Sequence, residues 1–532
     1  MSLTGLSFIG SRRSATAGKP THGINPATGE TLEPAYYPAG VNELDQAVAL
    51  AAEAFPVYSA LPGKQRAAFL RTIADDLDAI AEPLSQRAHL ETALPLPRLT
   101  GEIARTTGQL RLFATVLEEG SWVDARIDTA LPDRKPLPRP ALRSMLRPLG
   151  PVAVFGASNF PIAFSAAGGD TASALAAGCP VVVKAHSAHP GTNELVASVI
   201  QSAIAACGLP EGVYSLLFGS GAEIGSALVK HPAIRAVGFT GSLRGGRQLM
   251  DLAASRPEPI PCFTEMSAVN PMFFLPSALQ AGPEALAQNL FGSFTLGAGQ
   301  FCTRPGIVFY VNQPEAPAFV SKLKELVTAA NPFTLLTPGI ASAYTDGTAR
   351  RANSAEVAAA AAPVANTGSG PACHAAAQLY HVELDEFLTR PDLAGEIFGP
   401  TTLLVRCQST AGLLRAAHAA HGQLTASIFG SEAELAHHAP LLEQLTRIAG
   451  RVLFNNFPTG VEVSHAMVHG GPYPATADAR FTSVGTAAIF RFVRPVCYQS
   501  FPDAMLPAEL QNANPLNIQR LVDGTQTRTP LA

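Results

Sequence analysis

The sequence predicts an α/β protein in which helices flank mainly parallel sheets, and three observations lead there. From Gly150 onward, short apolar strand-like runs alternate with Ala-rich or amphipathic helical ones, the pattern of a parallel sheet with helices on both faces. A second α/β region follows, from about Glu265 to Arg451. The length, 532 residues with 47% hydrophobic, is enough to bury a large core shared among two or three domains.

Taken in order, the first forty residues read as loops and short strands, with a turn at Asn25-Pro26-Ala27-Thr28-Gly29-Glu30. Leu70, Ile73, Leu77 and Ile80 then recur at helical spacing with Arg71, Asp75 and Asp76 between them, and Asn42 or Thr100 suits the N-cap of a neighbouring helix. Leu131 to Pro140 is proline-rich and reads as an extended connection. Pro151–Phe155, Pro180–Lys184, Val213–Phe218 and Ile234–Phe239 are the expected strands. Helices are expected after each, over Gly168–Ala177, Asn193–Ala206, Glu223–Lys230 and Gly245–Ala254. The later region supplies strands at Ile307–Val311, Thr401–Val405, Leu424–Phe429 and Val452–Asn455. Ala355–Ala362 reads as a surface helix, because Ala is the best helix former. A strand is expected over Ala487–Arg494, before a Pro-rich tail. There is no internal repeat.

A formal charge of −4 offers no basic excess to neutralise phosphates, which argues against nucleic acid as a partner. Apolar runs such as Pro151–Phe155 are too short to span a bilayer, and no apolar block follows Arg12 and Arg13, so neither a membrane segment nor a signal peptide is expected. Seven scattered cysteines without a CxxC pair suit reduced thiols and a cytoplasmic location.

Of those cysteines, Cys302 alone lies in a Gly-rich turn, Gly297-Ala298-Gly299-Gln300-Phe301-Cys302-Thr303-Arg304-Pro305-Gly306, where the backbone can approach a ligand closely. A free thiol of pKa about 8.5 needs help from its surroundings to react, and most free cysteines are simply buried. Glu265, in Phe263-Thr264-Glu265-Met266, is a lone carboxylate after strand-like residues Pro259–Phe263, equally suited to chemistry or to a strand end at the surface. Asn159 follows the first strand in Gly156-Ala157-Ser158-Asn159-Phe160-Pro161. There an amide could stabilise an oxyanion or merely make a turn. Lys184 ends a strand, at the edge where α/β sheets bind ligands. Phe239-Thr240-Gly241-Ser242 suits an anion site, with Ser242 capping the next helix, whereas Gly219–Gly225 has its third glycine one residue late for a dinucleotide loop. The thirteen histidines, His437, His438 and His465 among them, show no metal-ligand spacing and read as structural, so no metal is expected.

In this order, Asn25–Glu30, Gly156–Pro161, Lys184, Phe239–Ser242, Glu265, Gly299–Cys302 and Glu396-Ile397-Phe398-Gly399-Pro400 together resemble the aldehyde dehydrogenase superfamily over nearly the whole chain. The resemblance implies a Rossmann-type cofactor domain with N-terminal helices over 1–264, including an oligomerisation segment near 130–149. It implies a catalytic domain over 265–455, and a return to the cofactor domain over 456–532 with an oligomerisation strand near 487–494. It implies that Cys302 attacks an aldehyde, that the Asn159 amide and the Cys302 N–H hold the oxyanion, and that Glu265 activates water to hydrolyse the acyl-enzyme. Lys184 and Glu396 would hold cofactor ribose hydroxyls, Ser242 the pyrophosphate, and Phe398 would pack by the nicotinamide. Phe239 and Gly241 belong to the same cofactor loop. A homodimer or homotetramer is implied, its C-terminal strand pairing with a partner subunit.

Two departures from the family pattern are informative. Met266-Ser267-Ala268-Val269 follows the glutamate where most members have Leu-Gly-Gly-Lys, and His469-Gly470-Gly471-Pro472-Tyr473-Pro474-Ala475-Thr476 replaces a late Pro-Phe-Gly-Gly. With Thr482–Thr486 and Arg494–Tyr498, they resemble the branch of 2,5-dioxopentanoate (α-ketoglutaric semialdehyde) dehydrogenases and NADP-dependent fatty aldehyde dehydrogenases. Ser187 stands where NAD-preferring relatives carry a glutamate, so NADP is expected as cofactor, with NAD as the alternative. A substrate carboxylate should meet an arginine, with Arg304 and Arg480 as candidates. An uncharged aldehyde is the alternative substrate. A CoA-dependent reaction leaves Glu265 without a task. A Cys-His hydrolase needs a histidine that no segment nominates, and a silent scaffold should have lost Cys302, Glu265 or Asn159.

Overall fold

In the computed structural model, which describes residues 2–361 and 373–531, the most apolar runs become strands buried on both faces. Val181–Lys184 and Val152–Phe155 have no exposed position, as expected where helices cover both sides of a parallel sheet. These two lie at the centre of a seven-stranded sheet ordered Cys262–Glu265, Ala236–Thr240, Val152–Phe155, Val181–Lys184, Tyr214–Leu217, Phe8–Ile9 and Arg12–Arg13. Its first five strands are parallel, and Phe8–Ile9 adds antiparallel to Tyr214–Leu217.

A second seven-stranded sheet runs Glu356–Ala360, Gln378–Glu383, Thr401–Cys407, Ile307–Val311, Met272–Phe274, Gln423–Phe429 and Ala449–Phe454. It is parallel except at the Glu356–Ala360 edge. A five-stranded sheet joins Val493–Gln499, Leu142–Pro148, Arg126–Asp128, Arg520–Val522 and Thr525–Thr527. Helices Val41–Ser59, Gly63–Ala79, Ala81–Thr92 and Leu96–Glu119 pack with the first sheet around one large core that includes Leu70, Ile73, Leu110 and Val181. The N-terminal turn is as expected: Asn25 N–H donates to Glu30 O at 2.8 Å between Thr21–Ile24 and Thr31–Tyr36.

Several local expectations are corrected. Gly40 rather than Asn42 caps the first helix, with Glu43 reaching back to its N–H, and Thr100 lies inside Leu96–Glu119. Leu131 and Arg139 exchange backbone hydrogen bonds, so the proline-rich segment folds back on itself instead of extending. The helix expected over Ala355–Ala362 is an edge strand over Glu356–Ala360, with Ala362 outside the described residues. Pairing with Gln378–Glu383 decides the matter, since helix propensity is a weak preference that tertiary hydrogen bonding overrides. The strand expected over Ala487–Arg494 is a 3₁₀ helix, Thr486–Phe492, followed by the strand Val493–Gln499. Ala488, Ile489 and Phe492 are all buried, a helical spacing, and the buried Arg491 pairs with Asp170 at 2.7 Å.

Candidate active site

The carboxyl ends of the central strands of the first sheet open into a cavity of about 390 Å³, which also receives residues of the second region. Asn159 enters from the loop after Val152–Phe155, Gly241 and Ser242 from the turn after Ala236–Thr240, and Glu265 from the end of Cys262–Glu265. Cys302, Glu396 and Phe398 come from the second region. Seven of the ten residues expected in the site therefore share one cavity.

Tertiary hydrogen bonds hold these pieces in register. Asn270 donates from Nδ2 to Cys302 O (2.8 Å) and Arg304 O (3.0 Å), while Thr425 donates to its Oδ1 and Gln423 accepts from its backbone. The strand that ends at Glu265 is thus stapled to the turn carrying Cys302. That turn is tight: Gly297, Ala298 and Gly299 all have positive φ, and a Cβ on Gly299 would sit 2.2 Å from Gly399 O. Gln300 fixes it further, donating to Gly297 O and accepting from Leu336 N–H.

Cys302 is partly exposed at the cavity, its Sγ 3.4 Å from His469 Nε2, and that nitrogen is 2.8 Å from Glu265 Oε1. Ser483 Oγ donates to the other carboxylate oxygen at 2.6 Å. The thiol and the carboxylate thus share one imidazole nitrogen in a compact cluster, with both His469 and Glu265 buried. The expectation that the histidines are structural, with none serving the thiol, is corrected at His469. The segment 475–477 decides otherwise, by pairing with 264–266 through Met266 N–H to Ala475 O and Ala477 N–H to Thr264 O. The available signal was the replacement segment itself, where a titratable residue opens His469–Thr476. The three ligand-type atoms of Glu265, Cys302 and His469 lie within 4.8 Å of one another, a juxtaposition invisible to spacing along the chain.

Electrostatics follow from this packing. Burial, and then the negative charge and hydrogen bond of Glu265, push the Cys302 thiol well above its usual value, with Arg105 acting weakly the other way. Burial alone would raise Glu265, but His469 and the hydrogen bonds from His469, Ser483 and Cys302 outweigh it and hold the carboxyl below its ordinary range. Burial raises Glu396, opposed by Arg304 and Ser267. Asn159 spends one N–H of its amide on Gln300 O at 2.9 Å, and among the described residues the Cys302 N–H meets no protein acceptor. Two donors thus converge beside the thiol, as an oxyanion site requires.

Phe239, Lys184 and Ser187 lie outside the cavity wall. Phe239 packs edge-on to Phe155, beneath Gly241 and Gly246, so it floors the turn. Lys184 is buried at its strand end, and burial lowers its amine to about 8. Its ammonium has no hydrogen-bond or ion-pair partner among the described residues, and Ser187 beyond it is exposed. Ser242 caps the helix Leu243–Ala254 by accepting from Gly245 N–H, leaving the Leu243 and Arg244 N–H groups without acceptors among the described residues. An unpaired buried cation and free helix N–H groups along one sheet edge fit a dinucleotide's phosphates and ribose. Both arginines expected to meet a substrate carboxylate are corrected. Arg304 is buried and donates to Thr401 O and Ile397 O, while Arg480 is exposed and paired with Asp478.

A nucleotide-binding α/β sheet whose strand ends face a cysteine–histidine–glutamate cluster and an amide defines a thiol-dependent oxidoreductase. The chain belongs to the aldehyde dehydrogenase family, whose profile matches residues 13–472. It is 49% identical over 529 residues to alpha-ketoglutaric semialdehyde dehydrogenase 2 of Azospirillum brasilense, covering 98% of this chain and 99% of that one. It is 47% identical to alpha-ketoglutaric semialdehyde dehydrogenase of Acinetobacter baylyi, covering 98% and 99%. The fold matches a solved betaine aldehyde dehydrogenase from Staphylococcus aureus with a TM-score of 0.80 at 18% identity, covering 94% of this chain and 98% of that one. It also matches aldehyde dehydrogenase C from Pseudomonas syringae, with a TM-score of 0.79 at 20% identity and coverage of 94% and 98%. Membership of the family makes this an enzyme acting on aldehydes with a nicotinamide dinucleotide. No helix among the described residues is long and apolar enough to cross a membrane.

Proposed function

We propose that this enzyme oxidises 2,5-dioxopentanoate to 2-oxoglutarate with NADP, through a thioester on Cys302. The observation that carries the chemistry is the Cys302–His469–Glu265 cluster beside Asn159. Near-full-length identity of almost one half to two enzymes named for this aldehyde supports the substrate.

The thiol rests protonated in its buried setting, so attack on the aldehyde carbon requires a neighbouring base. His469 Nε2 lies within reach of both Sγ and the Glu265 carboxylate; it takes the thiol proton and returns it to the sulfur when the C–S bond breaks, so that Glu265 stays ionised for the hydrolytic step. Sulfur bonds to the carbonyl carbon, and the oxygen takes the negative charge under the Asn159 amide and the Cys302 N–H. When bound, the dinucleotide supplies a hydride acceptor. Lys184 and Glu396 would hold its ribose hydroxyls, Ser242 its pyrophosphate and Phe398 its nicotinamide, with Phe239 and Gly241 shaping the turn. Glu265 then removes a proton from water as it attacks the thioester carbon. The C–S bond breaks, the acid leaves, and the thiol is restored.

NADP is favoured because Ser187, exposed beyond Lys184, presents a hydroxyl where a carboxylate would repel a 2′-phosphate. The aromatic walls at Phe160, Phe164 and Phe398 favour an uncharged aldehyde as the second reading. The division into 1–264, 265–455 and 456–532, and assembly as a dimer or tetramer through the C-terminal strand, complete the proposal. The test is reduced-cofactor absorbance with 2,5-dioxopentanoate and pentanal, each with NADP and with NAD. Expected are faster turnover of the charged aldehyde with NADP, and loss of roughly 10⁴-fold or more in Cys302→Ala. Turnover retained by that variant would overturn the thioester route, and turnover with NAD alone would overturn the cofactor assignment.

A further inference from the structure

Once Arg304 and Arg480 are spent on other partners, an acidic substrate is left without a recognised cation. The helix Leu96–Glu119 supplies one. Arg98 and Arg105 stand two turns apart on the same face of it, with Glu102 between them. Glu102 is buried and accepts from the Ile162 and Ala163 N–H groups, in the loop that carries Asn159. This face therefore packs directly on the oxyanion loop and carries more positive than negative charge.

The two arginines differ in what remains of their donor capacity. Arg98 donates to Asn159 O at 2.8 Å, lies over the rings of Phe160 and Phe301, and has Nη1 close against Gly297. It is a structural clamp between the Asn159 loop and the Cys302 turn. Arg105 lies 5.0 Å from the ring centroid of Phe164, which lines the cavity and packs against His469. Among the described residues its hydrogen bonds are two long ones, 3.4 and 3.5 Å, from Nε and Nη2 to Val461 O, and its Nη1 has no partner there. Burial draws the guanidinium below its usual value, and the charges of Glu102, Cys302 and Glu265 oppose that. Arg451 also senses Cys302, but its fork is spent on Pro458 O and Gly460 O. It holds in place the loop to which Arg105 is attached.

We propose that Arg105 is the specificity residue that receives the carboxylate at the far end of a short α-oxo acid aldehyde. A planar fork with one end uncommitted matches a carboxylate bidentately, and an extended five-carbon chain is only roughly 5 Å between its end carbons, which demands a cation close to the thiol. Phe164, stacked beneath the guanidinium, sets its height above the cavity.

This inference rests on the substrate reading above, and the experiment separates the two. Wild type, Arg105→Met and Arg105→Lys are compared on 2,5-dioxopentanoate and on pentanal with saturating cofactor. Expected is a rise in KM for the acidic aldehyde of roughly 10–100-fold in Arg105→Met, with kcat/KM for pentanal changing by about threefold or less. Arg105→Lys, which keeps the charge without the fork, should fall between. In parallel, 2-oxoglutarate should slow iodoacetamide alkylation of Cys302 in wild type and not in Arg105→Met. Equal losses on both aldehydes, or unaltered protection by 2-oxoglutarate, overturn the role of Arg105 while leaving the substrate reading intact. A wild type that does not prefer the acidic aldehyde overturns the substrate reading itself. Should Arg105→Met not fold, the Arg105→Lys comparison decides alone: a KM unchanged on the acidic aldehyde sinks the proposal.

Discussion

At Cys302 two demands conflict. The thiol must be shielded from bulk water to react with an aldehyde and not with other electrophiles, yet shielding and the adjacent Glu265 both hold it in the unreactive protonated form. The electrostatics make a signed prediction. Because Glu265 raises the thiol, Glu265→Gln removes a negative charge and lowers it, so the thiolate fraction at a given pH increases. The pH profile of Cys302 alkylation should therefore move to lower pH in Glu265→Gln. Turnover should fall in the same variant, because the carboxylate proposed to activate water is gone. An alkylation profile unmoved or displaced to higher pH would show that Glu265 does not act on the sulfur. Lys184 shows the same tension: a buried ammonium without a partner destabilises the fold, and that is tolerated where a ligand's oxygens will supply the missing contacts.

Among elements, the Gly297–Gly299 turn carries the site's precision. Positive φ at three successive residues turns the chain sharply into Gln300–Cys302, and Gly299 lets it approach Gly399 more closely than any Cβ would permit. Gly299→Ala should displace the thiol from His469 and Asn159. Expected are a destabilisation of about 2 kcal/mol or more and a loss of turnover of at least roughly 100-fold. Thermal unfolding and steady-state kinetics on the same preparation check it. A fully active Ala variant would mean that the turn relaxes at little cost. The neighbouring residues Glu396–Pro400 share that contact, so the backbone that presents Phe398 is set by the same close approach.

At the scale of the whole molecule, the C-terminal tail returns across the chain. Val493–Gln499 pairs over its full length with Leu142–Pro148, and Arg520–Val522 pairs with Arg126–Asp128. The strand Val493–Gln499 keeps one edge unpaired among the described residues, and an unpaired strand edge is a template for another chain. Light scattering coupled to size exclusion should give a dimer or tetramer, and a monomer at micromolar concentration would remove the oligomer from the proposal. The shift of this strand by six residues from its expected start matters here, since it places Pro495, Cys497 and Tyr498 at the edge instead of Ile489 and Phe492, which belong to the core.

Alternation of apolar strands with helices was legible from Gly150 onward because each strand is buried on both faces and leaves an unbroken apolar run. Ser242 as a helix cap, the Asn25–Glu30 turn and the glycines around Cys302 were equally legible, since their causes are local. Ala355–Ala362 and Ala487–Arg494 misled because neighbours distant in sequence decided them: strand pairing in the first, burial of Arg491 against Asp170 in the second. His469 is the sharpest case. Its only mark along the chain is that it opens a replaced segment; the pairing of 475–477 with 264–266 is what carries it to Glu265 and Cys302. The sequence by itself therefore determined the layers and the local turns, and it nominated Cys302. Tertiary structure alone decided which base meets that nucleophile and which arginines remain free, because contact between distant residues follows from packing and leaves no periodic or local trace in the chain.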